Sequence, residues 1–313
     1  MIQKIGIWGV NGYAGEELKR IVYAKPQIQA VEVGRGQALE EVAGGIHYAI
    51  LALPTEESLK IVPRLLEYGV RVIDLSGAFR LQDAAVFKKY YGQTHPCPEI
   101  LHQAVYGLVE KNRRQISEAS LVANPGCYAT AIELGLLPLV ERGFIRPDTK
   151  IVIEAISGYT GAGKHARIPD EITAYKPDRE HQHVPEIEQA LGLDGQIHFF
   201  PHVTPMPRGI KATIKLRIRR WINAARLYAE YYYQKSGQWE SYVKICTAVK
   251  LGDVLGTNLC CISPKSDKLG EVEISVCIDN LGKGAAGQAI QNLIAMDPSF
   301  GDTVYENEKY SKE

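Results

Sequence analysis

The chain has 313 residues with 36 basic and 36 acidic side chains, so its formal charge is zero with histidine neutral. That length suits two domains, and the balanced charge excludes a protein that binds nucleic acid or anionic lipid by bulk electrostatics. An apolar fraction of 45% with 23% charged residues excludes a disordered chain, and no apolar run approaches the ~20 residues that span a bilayer. Met1 to Val10 shows no basic region followed by an apolar stretch and a small-residue cleavage site, so no secretory leader is read there. The six cysteines, Cys97, Cys127, Cys246, Cys260, Cys261 and Cys277, form no C-x-x-C pair or regular framework. The expectation is a reducing cytoplasm, mostly buried thiols and no metal.

The first 75 residues alternate short apolar strands with amphipathic helices. Lys4 to Gly9 reads as a strand, and Leu18, Ile21 and Val22 mark one face of a helix that Pro26 stops. Ile28 to Val33 and His47 to Leu53 are further strands. A helix with Leu59, Val62 and Leu66 on one face then ends at Gly69, and Val70 to Leu75 is the fourth strand. This alternation predicts a Rossmann-type, doubly wound parallel sheet. From about Lys150 the segments Ile151 to Ser157, Gln196 to Val203, Ile210 to Arg219, Tyr242 to Val249 and Glu271 to Ile278 read as strands with few helices between. They predict a second, α+β domain with a largely antiparallel or mixed sheet. Gly284 to Met296 returns to helix. The expected dinucleotide-binding domain therefore spans residues 1–125 and 284–313, with a catalytic domain at 126–283 inserted.

The first strand runs into Gly9-Val10-Asn11-Gly12-Tyr13-Ala14-Gly15. Glycines there let the backbone turn sharply and approach a pyrophosphate, which the N–H groups of the helix start then meet. After the second strand comes Gly34-Arg35-Gly36, where an arginine can accommodate the 2′-phosphate of NADP. Glu32 within the strand keeps NAD open as the alternative.

In Asn124-Pro125-Gly126-Cys127-Tyr128-Ala129-Thr130, Pro125 and Gly126 break a strand and an apolar helix follows through Ile132, Leu136 and Leu137. Cys127 thus sits at a helix start, where N–H groups and the dipole favour the thiolate, and it is the candidate nucleophile. The other five cysteines read as small buried hydrophobes. His181 and His183 precede a helix expected near Pro185 and are the candidate proton-transfer partners. Alternation across the H-x-H pair predicts rings that point in opposite directions. Metal ligation is the weaker reading, for want of a third ligand at a recognisable spacing. His47, His95, His102, His165, His198 and His202 read as structural.

Gly158 to Lys164 matches G-x-x-x-x-G-K after a strand, but His165 stands where a P-loop needs Ser or Thr for magnesium. The segment Ser157 to His165 is read instead as a flexible anion-binding loop lining the active site. Pro205 to Gly209, with Arg208, precedes a long strand. Asp279 to Gly287, with Asn280 and Lys283, is either a second wall of the cofactor site or a plain crossing back into the first domain.

With these residues assembled, the chain resembles the N-acetyl-γ-glutamyl-phosphate reductases, within the wider semialdehyde dehydrogenase group. The resemblance runs through the glycine turn, Val72 to Ser76 with Phe79-Arg80-Leu81, Val105 to Leu108 and the cysteine motif. It continues through Ser157 to Lys164, His181 to Ile187, Pro201 to Gly209 and Asp279 to Gly287. The chain departs from that pattern in the short stretch from Gly34 to Ile46, in Asn11 where serine is common, and in Gly77-Ala78 before Phe79-Arg80. The resemblance implies a cytoplasmic enzyme of arginine biosynthesis, a dimer or tetramer, that uses NADPH to reduce an acyl phosphate through a thioester on Cys127. His183, or else His181, is then the acid/base. The cofactor residues implied are Gly9, Asn11, Gly12, Tyr13, Ala14, Gly15, Arg35, Ser157, Gly158, Asn280 and Lys283. The substrate residues are Arg80, Asn124, Lys164, His181 and Arg208. Arg35, Lys164, Arg208 and Lys283 are expected to concentrate positive charge for two anionic ligands. The alternatives are the same chemistry on a carrier-protein-linked aminoadipyl or glutamyl phosphate, and a non-catalytic dinucleotide-binding protein.

Overall fold

The computed structural model describes residues 4–26, 28–34, 36–236, 242–301 and 304. The chain divides into two compact units, Met1–Gly126 with Ala285–Glu313, and Cys127–Gly284.

The first unit opens with β1 (Lys4–Trp8), α1 (Tyr13–Tyr23), β2 (Gln29–Val33), α2 (Leu39–Ala43), β3 (Tyr48–Leu51), α3 (Thr55–Glu67) and β4 (Arg71–Asp74). It continues through α4 (Ala84–Tyr91), α5 (Pro98–Leu101), β5 (Ala104–Tyr106), α6 (Val109–Glu118) and β6 (Leu121–Ala123). Its six strands form one parallel sheet in the order β2-β1-β3-β4-β6-β5. Strands buried on both faces, such as Tyr48-Ala49-Ile50-Leu51, are continuous apolar runs because helices cover each side. On α3 the buried positions are Ser58, Leu59, Val62 and Leu65; Leu66 is only partly covered.

The second unit contains α7 (Cys127–Glu141), β7 (Ile151–Gly158), β8 (Thr173–Ala174), α8 (His183–Leu191), β9 (Ile197–Thr204), β10 (Ile210–Arg217), α9 (Ala224–Ser236), β11 (Val243–Ile245), β12 (Cys260–Ser266) and β13 (Glu271–Ile278). The seven strands make a mixed sheet ordered β11-β12-β13-β10-β7-β9-β8, with β7–β9 and β11–β12 parallel and the other pairs antiparallel. Helix α7 is buried from Tyr128 to Leu139, as an all-round apolar helix must be. It lies on β10 and β13 at Gly135, where a Cβ would come within 2.8 Å of Ile214 and 2.9 Å of Val276.

The strand expected over Tyr242 to Val249 is confined to Val243–Ile245, and β12 and α9 are additions to the sequence reading. The helix expected from Gly284 begins as a π-turn over Gly282–Ala286 and becomes α10 (Gly287–Met296), whose regular part belongs to the first unit. There Gln288 Nε2 donates to the Gly107 carbonyl (2.8 Å) and Asn292 Nδ2 to Asn124 Oδ1 (3.0 Å). Arg71 donates to the Met296 carbonyl (3.1 Å), and Tyr48 to Asp297 (3.0 Å).

Candidate active site

In the first unit the glycine turn lies at the β1/β3 switch point, where the strand order reverses and open α/β sheets bind ligands. Gly9 adopts φ +73°, and a Cβ there would overlap the Ala52 carbonyl oxygen. A Cβ at Gly15 would overlap the Gly9 carbonyl oxygen, so the start of α1 packs directly on the strand end. Gly12 is the N-cap in extended backbone and no side chain caps the helix. The result is a backbone cradle that added side chains would fill, with helix N–H groups at its base. It fits the pyrophosphate of a dinucleotide.

Other first-unit residues singled out in the sequence are committed within the fold. Arg80 is buried and donates from Nε to the Asn124 carbonyl (2.8 Å) and from Nη2 to the Leu75 carbonyl (2.6 Å), clasping the ends of β4 and β6. The Asn124 side chain, also buried, accepts from Asn292 and donates to the carbonyls of Pro125 and Ala285, each at 3.4 Å. Asp74 is fully enclosed and receives Ser58 Oγ (2.8 Å) and Ser76 Oγ (2.6 Å); burial raises its carboxyl pKa despite those bonds. Glu32 is held by Lys19 Nζ (2.9 Å) and by the Tyr23 hydroxyl, which lowers its pKa and occupies its oxygens on α1. Arg35 lies outside the described residues.

In the second unit Cys127 is the first residue of α7 and is half-buried. The next residue, Tyr128, carries the site inward. Its hydroxyl donates to the His202 carbonyl (2.9 Å), and its ring meets His181 (5.8 Å), His183 (6.1 Å) and Phe199 (5.1 Å) edge-to-face. Tyr175 covers His181 from another side at 5.6 Å. The two histidine rings do not diverge: their centroids lie 4.6 Å apart, because α8 starts at His183 and its N–H donates to His181 Nδ1 (3.1 Å) across a turn. Strand alternation does not apply at that turn.

Burial sets the electrostatics. His181 is 2% exposed, and desolvation, helped by His183 and Lys176, lowers its pKa to about 2, so it stays neutral. Burial likewise raises Tyr128 and pushes Tyr175 up to about 12, with Cys127 adding to both shifts, so both phenols stay protonated. Cys261 and Cys277, enclosed in the sheet, are pushed up to about 12 and remain thiols. Neither Tyr128 nor Tyr175 stands out in the sequence; for Tyr128 the available signal is an aromatic residue directly after Cys127.

The remaining candidates are also in place. Ser157 and Gly158 end β7 rather than lying in a loop, and a Cβ on Gly158 would come within 2.6 Å of the Pro207–Arg208 backbone. Tyr159–Ala162 is a 3-10 turn pinned by Thr160, whose hydroxyl donates to the Pro207 carbonyl (2.6 Å) and accepts from Asn280 (2.9 Å). The flexible-loop reading is corrected for that half; Gly161 to Arg167, with Lys164, is exposed. Asn280 also accepts from the Gly209 N–H (2.7 Å), so its amide is a latch between strands. Arg208 forms a two-point ion pair with buried Asp279, at 3.1 and 2.8 Å. Lys283 is wholly buried with Nζ 5.7 Å from the centre of the Tyr242 ring. Of the four cations expected to concentrate positive charge, Arg208 is thus paired with Asp279 and Lys283 is wholly buried. Among the described residues no cluster of three His, Cys, Asp or Glu side chains could hold a metal, and no helix is long and apolar enough to cross a membrane.

Comparison with known proteins gives this geometry its context. Residues 31–119 match the semialdehyde dehydrogenase NAD-binding domain, and residues 127–280 match the semialdehyde dehydrogenase dimerisation domain. The chain is similar in structure to aspartate semialdehyde dehydrogenase II of Vibrio cholerae complexed with ASA, at TM-score 0.71 and 18% identity over 95% of this chain and 98% of that one. The aspartate semialdehyde dehydrogenase of Francisella tularensis gives 0.67 and 14%, over 93% and 99%. These likenesses show the fold. N-acetyl-gamma-glutamyl-phosphate reductase of Dehalococcoides mccartyi is 39% identical over 329 aligned positions, covering 94% of each chain. That of Nitrosospira multiformis is also 39% identical, over 331 positions, covering 94% of this chain and 95% of the relative. Both alignments are longer than the chain, so the relatives carry residues that it lacks. With a Rossmann-type unit, a mixed-sheet unit with a cysteine at a helix start, and relatives this similar over nearly its whole length, the chain belongs to the N-acetyl-γ-glutamyl-phosphate reductase family of semialdehyde dehydrogenases.

Proposed function

We propose that the chain reduces N-acetyl-γ-glutamyl phosphate to N-acetylglutamate 5-semialdehyde with release of phosphate, in arginine biosynthesis. The observation that carries this reading is Cys127 at the start of α7, followed by a tyrosine packed against two buried histidines. The Cys127 thiolate attacks the acyl phosphate carbon and phosphate leaves, giving a thioester and dividing one substitution into two easier steps. Helix-start N–H groups steady the oxyanion. NADPH, when bound, supplies the hydride for the thioester. His181, held neutral with its Nδ1 accepting from His183 N–H, orients the pair. His183 is therefore the residue assigned to move the proton to and from sulfur and oxygen.

The Gly9–Gly15 turn, including Asn11, Tyr13 and Ala14, holds the dinucleotide. Glu32 is engaged by Lys19 and by Tyr23, which supports NADP over NAD, and Arg35 is the residue assigned to the 2′-phosphate. Lys164 is the exposed cation assigned to substrate phosphate. The open face of the second sheet, with Val152 40% exposed beside half-buried Ile156, Phe200 and Thr213, is the surface assigned to a dimer or tetramer. Six free cysteines suit the cytoplasm.

The test is the reverse reaction: NADPH formation from N-acetylglutamate semialdehyde and phosphate, with NAD and a carrier-linked semialdehyde as comparisons. Phosphate-dependent reduction of NADP with the free substrate is expected. Activity confined to the carrier-linked compound, or none with phosphate, overturns the reading.

A further inference from the structure

The end of β13 joins three loops of the second unit through one side chain. Asp279 is wholly buried. Its Oδ1 accepts from Leu281 N–H (2.9 Å), Gly282 N–H (3.3 Å) and Arg208 Nε (3.1 Å). Its Oδ2 accepts from Gly256 N–H (2.6 Å) and pairs with Arg208 Nη2 (2.8 Å). Its own carbonyl accepts from Gly284 N–H (2.9 Å). Asp279 therefore grips the turn after β13 at both ends, from side chain and backbone, and ties it to the loops carrying Arg208 and Gly256.

That turn is a wall of the cysteine site. A Cβ on Gly284 would stand 2.9 Å from the Cβ of Cys127, and one on Gly282 would overlap the Thr257 carbonyl oxygen. The turn is thus wedged between Thr257 and Cys127 with no space for a side chain on either side. The turn therefore packs directly on the Cβ that carries the sulfur. In a reaction that needs the nucleophile aligned on a carbonyl carbon, misplacement by about 1 Å costs on the order of 10²-fold.

We propose that Asp279 is a positioning residue for Cys127: its carboxylate sets the register of the Gly282–Gly284 turn against the thiol, and through it the reactivity of the sulfur. The proposal builds on the reductase reading but concerns a property of the thiol that can be measured without substrate. A natural control exists in the same unit. Asp267, in the exposed turn between β12 and β13, accepts from Leu269 N–H and Glu271 N–H at 2.9 Å each, which is the same kind of turn bond far along the hairpin from Cys127.

The experiment compares wild type, Asp279→Asn and Asp267→Asn in the full chain. The pH profile of Cys127 alkylation by iodoacetamide is read by mass spectrometry, and kcat and KM by the reverse assay. Asp279→Asn is expected to shift the alkylation midpoint and to lower kcat by at least about tenfold, with KM within about threefold. Asp267→Asn is expected to leave both as in wild type. An Asp279→Asn protein that melts earlier but keeps the wild-type alkylation profile and kcat overturns the proposal. If that variant does not fold, Gly284→Ala presses on the same contact while leaving the Asp279 carboxylate bonds intact, and an unchanged alkylation profile there overturns it as well. Wild type inactive on the free semialdehyde would reject the reductase reading alone, since the alkylation arm still decides the role of Asp279.

Discussion

Two strand-to-helix turns use the same device for opposite ends. After β1 the chain enters α1 through Gly9–Gly15, and after β6 it enters α7 through Pro125, Gly126 and Cys127. Each presents the first N–H groups of a helix. In the first, side chains are excluded: Gly9 and Gly15 have no room for a Cβ, and the helix is left uncapped. In the second, side chains line the turn, with a thiol at the first helical position and aromatic rings behind it. A helix start is thus only a place of favourable potential. What lines it decides whether it holds a ligand's charge or develops one of its own.

Substitution of Cys127 has the largest expected effect. Cys127→Ser is expected to lower turnover by at least about 10³-fold while thermal stability and dinucleotide affinity hold. A variant that keeps turnover would make the second turn a binding site like the first. At the other turn, Gly9→Ala must place a Cβ on the Ala52 carbonyl at positive φ, so it should cost about 2 kcal/mol or more of stability. It should also abolish the rise in melting temperature that NADP brings. Calorimetry with and without cofactor measures both, and retained cofactor stabilisation would break the contrast.

A smaller effect concerns pH. His181 binds its proton near pH 2 in the folded state, against 6.5 for an unperturbed ring. Unfolded chains therefore take up this proton first as pH falls below 6.5, and stability drops across the window from 6.5 downward. His181→Asn should flatten the fall in melting temperature between pH 7 and 5. An unaltered slope would mean that the ring is charged in the folded protein.

The alternation of strands and helices up to Asp74, the short α2 apart, is legible because the other elements have one period and a clear stop, such as Pro26 or Gly69. Helix α9 is hidden because its core residues are tyrosines. Tyr228, Tyr231 and Tyr232 are buried at helical spacing, and the hydroxyls of Tyr228 and Tyr232 reach the carbonyls of Gly135 (2.6 Å) and Leu134 (2.5 Å) on α7. A scan for aliphatic periodicity passes over such a face. Strand β12 contains Pro264, which argues against an interior strand, yet it pairs with β13 throughout. The position of Cys127 at a helix start is legible from the chain breaks at Pro125 and Gly126. The commitment of Arg208 to Asp279 is not, because 71 positions separate them. Charge and motif position alone cannot distinguish a cation that awaits a ligand from one already paired.

The return of the chain into the first unit has a consequence for its biogenesis. Its parallel sheet is encoded before Asn124, yet Gly107, Asn124, Arg71 and Tyr48 find their polar partners on α10 and the residue after it. On the ribosome those partners are made only after the whole second unit. The segment that appears first is therefore the last to be completed, and the insert, whose sequence is continuous, has its full complement of residues earlier.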